Sequence, residues 1–359
     1  MLPVPEKSML QLATYHGTVE ELAAFINGIW ADCYAGKMTY PCWTPEYFTW
    51  QLRLDTEASH DNLVAAYDGD RLVGVLLGTR HMLRSPAGVH PGSQWSWLSV
   101  DAEYEGRGIA KMLHQERMRR EQAAGSRLIV SYRFVGSSHS KAERPEAGVR
   151  DRKFNRNMGF WIRVLDPARF SNWHLSKVEG FLARLSSPLA KIPTAQPTGI
   201  SVRAFADSDL DACLELVRGT YPASALSIEW NGESLRHQLF GHPISQTLVL
   251  EENHAVTGFV NFHVLPFQAR TRECVALMDM IVRGNSSSKG YLCLMNAALG
   301  RMKEQGAVLA LKLRCADTSA SLMFRNHFVP PLPELVLVLQ SVDASIEIPA
   351  RAPVQVLWR

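Results

Sequence analysis

The 359-residue sequence predicts an α/β (α+β) chain built from two similar halves. Strand-like apolar runs alternate with runs of helical period, and the same order of elements is met twice along the chain. Glycine landmarks recur at one spacing: Gly74 and Gly258 lie 184 residues apart, and so do Gly106 and Gly290. A fixed offset of that kind is the signature of an internal duplication.

The elements follow from local patterns. Residues 10–15 read as a strand, and Thr18 with Glu21 stand in the positions of a capping box for the helix after it. Thr44-Pro45-Glu46 opens a second helix, with Pro at its first position. Residues 63–67 and 72–79 form a hairpin around Asp68-Gly69-Asp70. A strand over 94–100, a glycine loop, a long helix and a strand over 127–135 come next. Lys153 to Met158 reads as a short helix stopped by Gly159 at positive φ, before a strand over 160–165. The stretch LSSPLAKIPTAQPTG, from Leu185, holds three prolines and reads as a linker. The expected division is a domain over 1–185, a linker over 186–199 and a domain over 200–359. In the second half, 200–205 is a strand and Asp207-Ser208-Asp209 caps a helix. A hairpin over 248–251 and 256–264 follows, then a strand over 275–282, a helix over 291–304, a strand over 308–313 and a short helix over 319–326.

Composition excludes several classes. A net charge of +3 is too small to argue for nucleic acid as partner. No apolar run approaches the ~20 residues of a membrane span, and the start MLPVPEKSML lacks the pattern of an export signal. Six cysteines, at 33, 42, 213, 274, 293 and 315, form no C-x-x-C pair, which suits reduced thiols better than a disulfide frame or a zinc site. The expectation is a cytoplasmic protein with no metal and no membrane or nucleic-acid partner.

The most informative stretch is WLSVDAEYEGRGIAKMLHQERMRREQAA, from Trp97. An apolar strand ends at Val100, a polar turn follows, and Gly106-Arg107-Gly108-Ile109-Ala110 opens a helix with Ile109, Met112 and Leu113 on one face. Unpaired backbone N–H groups and the helix dipole meet there, and small residues let a phosphate approach the backbone. A P-loop would need a Lys-Ser/Thr ending and a dinucleotide fingerprint a third glycine, and both are missing. A plain tight turn is the competing reading of such glycines.

The segment resembles the coenzyme A loop of the GCN5-related N-acetyltransferases, whose pattern is Gln/Arg-x-x-Gly-x-Gly/Ala after a strand ending in Val. Gly108 and Ala110 match the last two positions, and Glu105 stands where Gln or Arg is usual. The run Phe154-Asn155-Arg156-Asn157-Met158-Gly159-Phe160 resembles the family's late Phe-Tyr-x-x-Leu-Gly-Phe motif, with Asn155 in the Tyr position. The resemblance implies two tandem acyl-CoA N-acyltransferase domains, each a mixed, mostly antiparallel twisted sheet flanked by helices. It also implies acetyl-CoA or another acyl-CoA as co-substrate. Its diphosphate would rest on Glu105, Gly106, Arg107, Gly108, Ile109, Ala110 and Lys111, its pantetheine arm along Leu98, Ser99 and Val100, with Asn155 nearby. In the second half Leu292 takes the place of Gly108 and is expected to fill the phosphate's space.

An amine would attack the thioester directly in a ternary complex, with a strand N–H near Leu98 or Ser99 stabilising the oxyanion. The strand over 94–100 carries neither carboxylate nor cysteine. Tyr132 is therefore the first candidate for the acid, with His90 and His139 as further candidates, each of which also reads as a packed or solvated side chain. The basic insertion GSSHSKAERPEAGVRDR, with Lys141, Arg144, Arg150 and Arg152, reads as a solvated loop or an acceptor lid. Trp30, Trp43, Trp50, Tyr40 and Tyr47 read as helix packing or an acceptor wall. The acceptor is a small-molecule or peptide amine, and the protein a monomer or homodimer. The rival readings are an acyl-CoA-binding protein without catalysis and a structural partner with both sites dead.

Overall fold

The computed structural model describes residues 10–54, 56–134, 153–185, 187–193, 198–220, 226–331, 335–342, 346 and 353–359. The first half runs β1 (Leu10–Thr14), α1 (Val19–Tyr34), β2 (Tyr40–Pro41), α2 (Pro45–Leu52), α3 (Glu57–His60), β3 (Val64–Asp68), β4 (Arg71–Ser85) and β5 (Gly88–Val100). It continues through α4 (Ile109–Ala123), β6 (Leu128–Phe134), β7 (Lys153–Met158), β8 (Phe160–Val164), α5 (Pro167–Trp173) and α6 (Lys177–Leu185). The second half begins β9 (Ile200–Ala204), α7 (Leu210–Thr220), β10 (Leu226–Ile228), α8 (Gly232–Phe240), β11 (Gln246–Glu252), β12 (Ala255–Gln268) and β13 (Arg272–Val282). It ends with α9 (Ser288–Glu304), β14 (Ala307–Leu313), α10 (Ala320–Arg325), β15 (Leu335–Ser341) and β16 (Val354–Gln355).

The caps read from sequence form as chemistry dictates. Thr18 Oγ1 accepts the Glu21 N–H at 3.2 Å while Glu21 accepts the Thr18 N–H at 2.8 Å. Thr44 likewise accepts the Tyr47 N–H at 3.2 Å, with Pro45 opening the helix.

Two mostly antiparallel sheets share one plan. The first is ordered β1-β3-β4-β5-β6-β15-β7 and the second β9-β11-β12-β13-β14-β8. In each, the fifth strand runs parallel to the fourth (β6 on β5, β14 on β13), and the sixth runs antiparallel to the fifth. That sixth strand comes from the other half of the chain in both cases. β15 lies between β6 and β7, with Leu337 opposite Tyr132 on one side and Arg156 on the other. β8 in turn closes the second sheet against β14. A smaller exchange repeats the pattern, with β2 on β12 and β10 on β4. Sheet membership thus crosses the linear division, and one core cluster contains Trp43 and Trp97 together with Phe267 and Trp358.

Lys153 to Met158 is a strand, not the expected short helix. Asn155 and Asn157 are exposed, Arg156 half-buried and Met158 buried, which is the period of two of a sheet edge. Pairing with β15, a segment almost two hundred residues away, overrides the local pattern. Nor does Gly159 need a left-handed backbone; its missing Cβ leaves room for the Arg314 guanidinium. The helix, left-handed residue and phenylalanine expected there occur instead in the second half. α10 is followed by His327 at φ 56° and the fully buried Phe328.

α4 carries few apolar residues, and it is anchored by charge as well as by Ile109 and Leu113. Arg117 and Glu121 pair at 2.6 Å, both fully buried, with Arg117 also donating to Ser93 Oγ at 3.0 Å. Burial pushes the Arg117 guanidinium down to about 10, opposed by the Glu121 charge beside it. The glycine loop is therefore held by a helix fixed rigidly to β5.

Because β15 serves a sheet it does not adjoin in sequence, both halves should unfold together. Leu337→Ala, at a fully buried position, should cost about 2–5 kcal/mol. In urea denaturation the variant should melt in one transition at lower midpoint, with no surviving second-sheet plateau.

Candidate functional site

The loop expected to hold an anion is preformed. Gly106 and Gly108 have φ of 76° and 80°, in the left-handed region, and a Cβ at either would meet no atom within 4 Å. Both features suit glycine: the backbone needs it, and the space in front is open. Gly108 is the N-cap of α4 and has no side chain to offer. By contrast, α1, α2, α8, α9 and α10 each begin under a side-chain cap. The first N–H groups of α4 face the loop with the positive end of the helix dipole behind them.

Neighbouring charges are arranged around the turn before it. Arg71 pairs with Asp101 and Glu103, both at 2.7 Å. The Arg107 guanidinium lies 4.5 Å from the Tyr104 ring centre, and the Tyr104 hydroxyl donates to Asp68 at 2.7 Å. Glu105 and Lys111 are exposed, Ala110 is half-buried, and Ile109 is buried against α4's own sheet.

Behind the loop, β5 carries a bulge. Leu77 pairs with Ser96 and Val75 with Ser99, so Trp97 and Leu98 together oppose one residue of β4, and Trp97 takes φ 57°. A left-handed tryptophan is costly backbone. Pairing of β5 with β6 stops at Trp95 and Ser131. Past that point the strands part, as the expected thioester slot requires. Leu98 is 38% exposed at the bulge, Val100 is half-buried, and the buried Ser99 hydroxyl accepts the Trp30 indole N–H at 3.2 Å.

Segment 353–359, which carried no signal in the sequence, reaches this opening. Gln94 Nε2 and Tyr132 Oη both donate to the Leu357 carbonyl at 2.9 Å, and Ser96 Oγ donates to that of Arg359 at 2.8 Å. Burial raises the Tyr132 hydroxyl well above its ordinary value. Trp358 stacks on Phe267, meets Phe134 and Phe160 edge to face, and lies tilted against Trp43. Trp43, Trp50, Tyr40 and Tyr47 are buried and Trp30 half-buried, so this aromatic group is packed between the halves. The Arg359 side chain enters the second half, where its guanidinium binds Asp279 at 2.7 Å. Burial raises the Asp279 carboxyl, but Arg359 and His263 outweigh it and hold it far below the usual range.

Not all expected site residues converge. Asn155 is on β7, beyond β15, where it accepts from Arg133 at 3.2 Å, so two strands separate it from β5. His90 is near the opposite end of β5, its ring nitrogen 3.2 Å from Arg127. His139, Lys141, Arg144, Arg150 and Arg152 lie outside the described residues.

The second half shows the same geometry with its space taken. Leu292 does not fill the loop; it is 44% exposed. Glu252 does: its carboxylate accepts the Ser287 N–H at 3.0 Å and the Thr257 hydroxyl at 2.9 Å. A Cβ on Gly290 would lie 2.5 Å from the same carboxylate. Where the strands part, β13 bulges at Asp279, and Lys312 bridges the gap. It donates to the Asp279 carbonyl at 3.0 Å and pairs with the buried Asp317 at 2.6 Å. Among the described residues no cluster of His, Cys, Asp or Glu could hold a metal.

Burial raises the Glu252 carboxyl, but bonds from Ser287 and Thr257 outweigh it and leave it below its ordinary value. Glu252→Ala should therefore cost about 1–2 kcal/mol near neutral pH. A depressed folded value contributes stability above the unfolded value of about 4.3, lost as pH falls through the folded one. Denaturation curves of parent and variant should accordingly converge in acid and stay apart at neutral and alkaline pH.

Residues 17–137 match the model of the acetyltransferase (GNAT) domain. No curated protein matches the sequence. In fold, the chain is similar to Saccharomyces cerevisiae N-myristoyltransferase with bound myristoyl-CoA, at TM-score 0.69 and 15% identity over 94% of this chain and 79% of that one. A second structure of that enzyme with myristoyl-CoA gives 0.69 and 14%, over 94% and 84%. A third, with myristoyl-CoA and inhibitors, gives the same score and identity over 94% and 81%. At such identity the likeness is one of fold. The family match spans the bulged strand, the glycine loop and α4, so the stretch of this chain that is similar to the acetyltransferase (GNAT) domain is the one that carries the candidate site.

Proposed function

We propose that this protein is an acyl-CoA-dependent N-acyltransferase whose active site is in the first lobe, with acetyl-CoA as donor and a primary amine as acceptor. The observation that carries the proposal is the uncapped start of α4 at Gly108, open in front and set beside a bulged strand that parts from its neighbour. The coenzyme's diphosphate would rest on Gly106 to Lys111 and its pantetheine arm on Leu98, Ser99 and Val100. Transfer would be direct, with a β5 backbone N–H on the developing oxyanion.

We read the chain as a tandem arrangement, 1–185 and 200–359 joined by 186–199, in which the second lobe no longer binds coenzyme. Glu252 at its loop and Lys312 across its strand opening support that reading, since each occupies space that the coenzyme would need. A short acyl group is favoured by the aromatic wall at the first opening. Trp43, Trp97 and Trp358 are 2, 4 and 7% exposed, and Trp43 packs 5.6 Å from Trp97 and 6.0 Å from Trp358. Tyr132 stays the candidate acid for the leaving thiolate, and to serve it must turn its hydroxyl away from Leu357. The amine acceptor, a small molecule or peptide, would meet this opening in a cytoplasmic protein acting as monomer or homodimer.

Calorimetry with coenzyme A should give one site per chain. Gly108→Val should abolish binding, because a branched side chain would stand where the phosphate approaches. The left-handed φ strains that one turn, but the position is exposed and a Cβ meets no atom within 4 Å, so the fold should remain. Two sites per chain, or unchanged affinity in the variant, would refute the assignment.

Turnover is read as thiol release from acetyl-CoA with a panel of primary amines. Release should exceed that from myristoyl-CoA, and Tyr132→Phe should lower it roughly tenfold with little change in coenzyme affinity. Tight binding without release from any amine would make the protein an acyl-CoA sensor. A variant as fast as the parent would leave Tyr132 as a tether for segment 353–359.

A further inference from the structure

Helix α6 is packed the wrong way round for a helix that meets only water. It touches the body of the protein through its small residues. Gly180 and Ala183 are buried, and a Cβ on Gly180 would meet the Ser171 backbone at 3.0 Å. Its large apolar residues turn outward. Val178, Phe181, Leu182 and Leu185 are 69, 61, 56 and 65% exposed. Their spacing of i, i+3, i+4 and i+7 places all four on one face. A contiguous apolar face of this kind marks an interaction surface rather than scatter.

The charges around the face select what it meets. Lys177 and Arg184, both on α6, are exposed at its margin, and neither takes part in an ion pair among the described residues. Arg184 only donates to the Asn172 side chain at 2.8 Å. The acidic Glu179 lies 3.3 Å from His174. A large apolar strip with unpaired cations at its margin complements a surface that is apolar below and anionic above. A second copy of the chain suits it less well. Four such side chains offer on the order of 400 Å², about half the ~800 Å² per partner of a stable interface. Two copies would also bring like charges together.

We propose that α6 docks the protein on an anionic lipid surface, its apolar face in the headgroup–acyl boundary and Lys177 and Arg184 on lipid phosphates. No helix among the described residues is long and apolar enough to cross a membrane, so the association is peripheral. The expectation that no membrane partner exists rested on the lack of a span, a criterion that an interfacial helix escapes. The proposal stands apart from the coenzyme reading, since α6 shares no residue with the glycine loop.

The test is flotation of the full-length protein with vesicles of phosphatidylcholine alone and of phosphatidylcholine with phosphatidylserine. The parent should float with the mixed vesicles, hardly with the neutral ones, and less as salt rises. Phe181→Ser combined with Leu182→Ser should cut the floated fraction about tenfold with Tm unchanged, both side chains being exposed. Lys177→Glu combined with Arg184→Glu should cut it with the apolar face intact. A parent that stays unbound to the mixed vesicles, or variants that float like it, overturns the proposal. So does a concentration-dependent dimer in sedimentation that the serine variant dissolves, which would assign the face to a second copy.

Discussion

Backbone hydrogen bonding at the fifth strand of each sheet is the constraint on which the architecture rests. β6 and β14 run parallel to their inner neighbours and would otherwise each present a long row of unpaired N–H and C=O groups. Each row is satisfied by a strand from the opposite half, β15 for one and β8 for the other. The exchange ties the two halves together through strands that each lends to the other's sheet. It also draws segment 353–359 back across the first sheet, so that Leu357, Trp358 and Arg359 meet residues of both halves.

The same geometry has two electrostatic outcomes. At the start of α4 the backbone amides face open space, and the nearby acids Asp101 and Glu103 are engaged by Arg71. At the start of α9 a carboxylate of the protein itself takes the position. Asp68 and Glu252 are the matching residues, 184 positions apart. Asp68 is engaged by Tyr104, whereas Glu252 is one methylene longer and reaches the helix start. Lys312 completes the difference by spanning the second strand opening with a buried pair to Asp317. Helix dipole and strand bulge persist in both lobes, and side chains decide whether they face solvent or protein.

Much of the candidate site was legible because its chemistry is local. Gly106 and Gly108 announce a turn that only glycine tolerates, and Ile109 with Leu113 announce the buried side of α4. Residues joined across hundreds of positions left no such mark. Nothing near Leu357 or Arg359 shows that these residues bond to Gln94, Ser96 and Asp279. Asn155 was misplaced for the same reason: its neighbours suggest a helix stop, while the strand it joins is far away in the chain.

By itself the sequence determined the elements that short-range physics controls: the capping box at Thr18 and Glu21, the hairpins, the glycine loop, the repeat of the plan, and the mixed α/β class. Tertiary structure alone decided which sheet each strand joined, which side chain fills the second loop, and which way α6 turned its apolar face. Caps and turns are set by dihedral preferences and hydrogen bonds within a few residues. Strand partnership and burial depend on contacts between segments distant in the chain, which local periodicity does not encode.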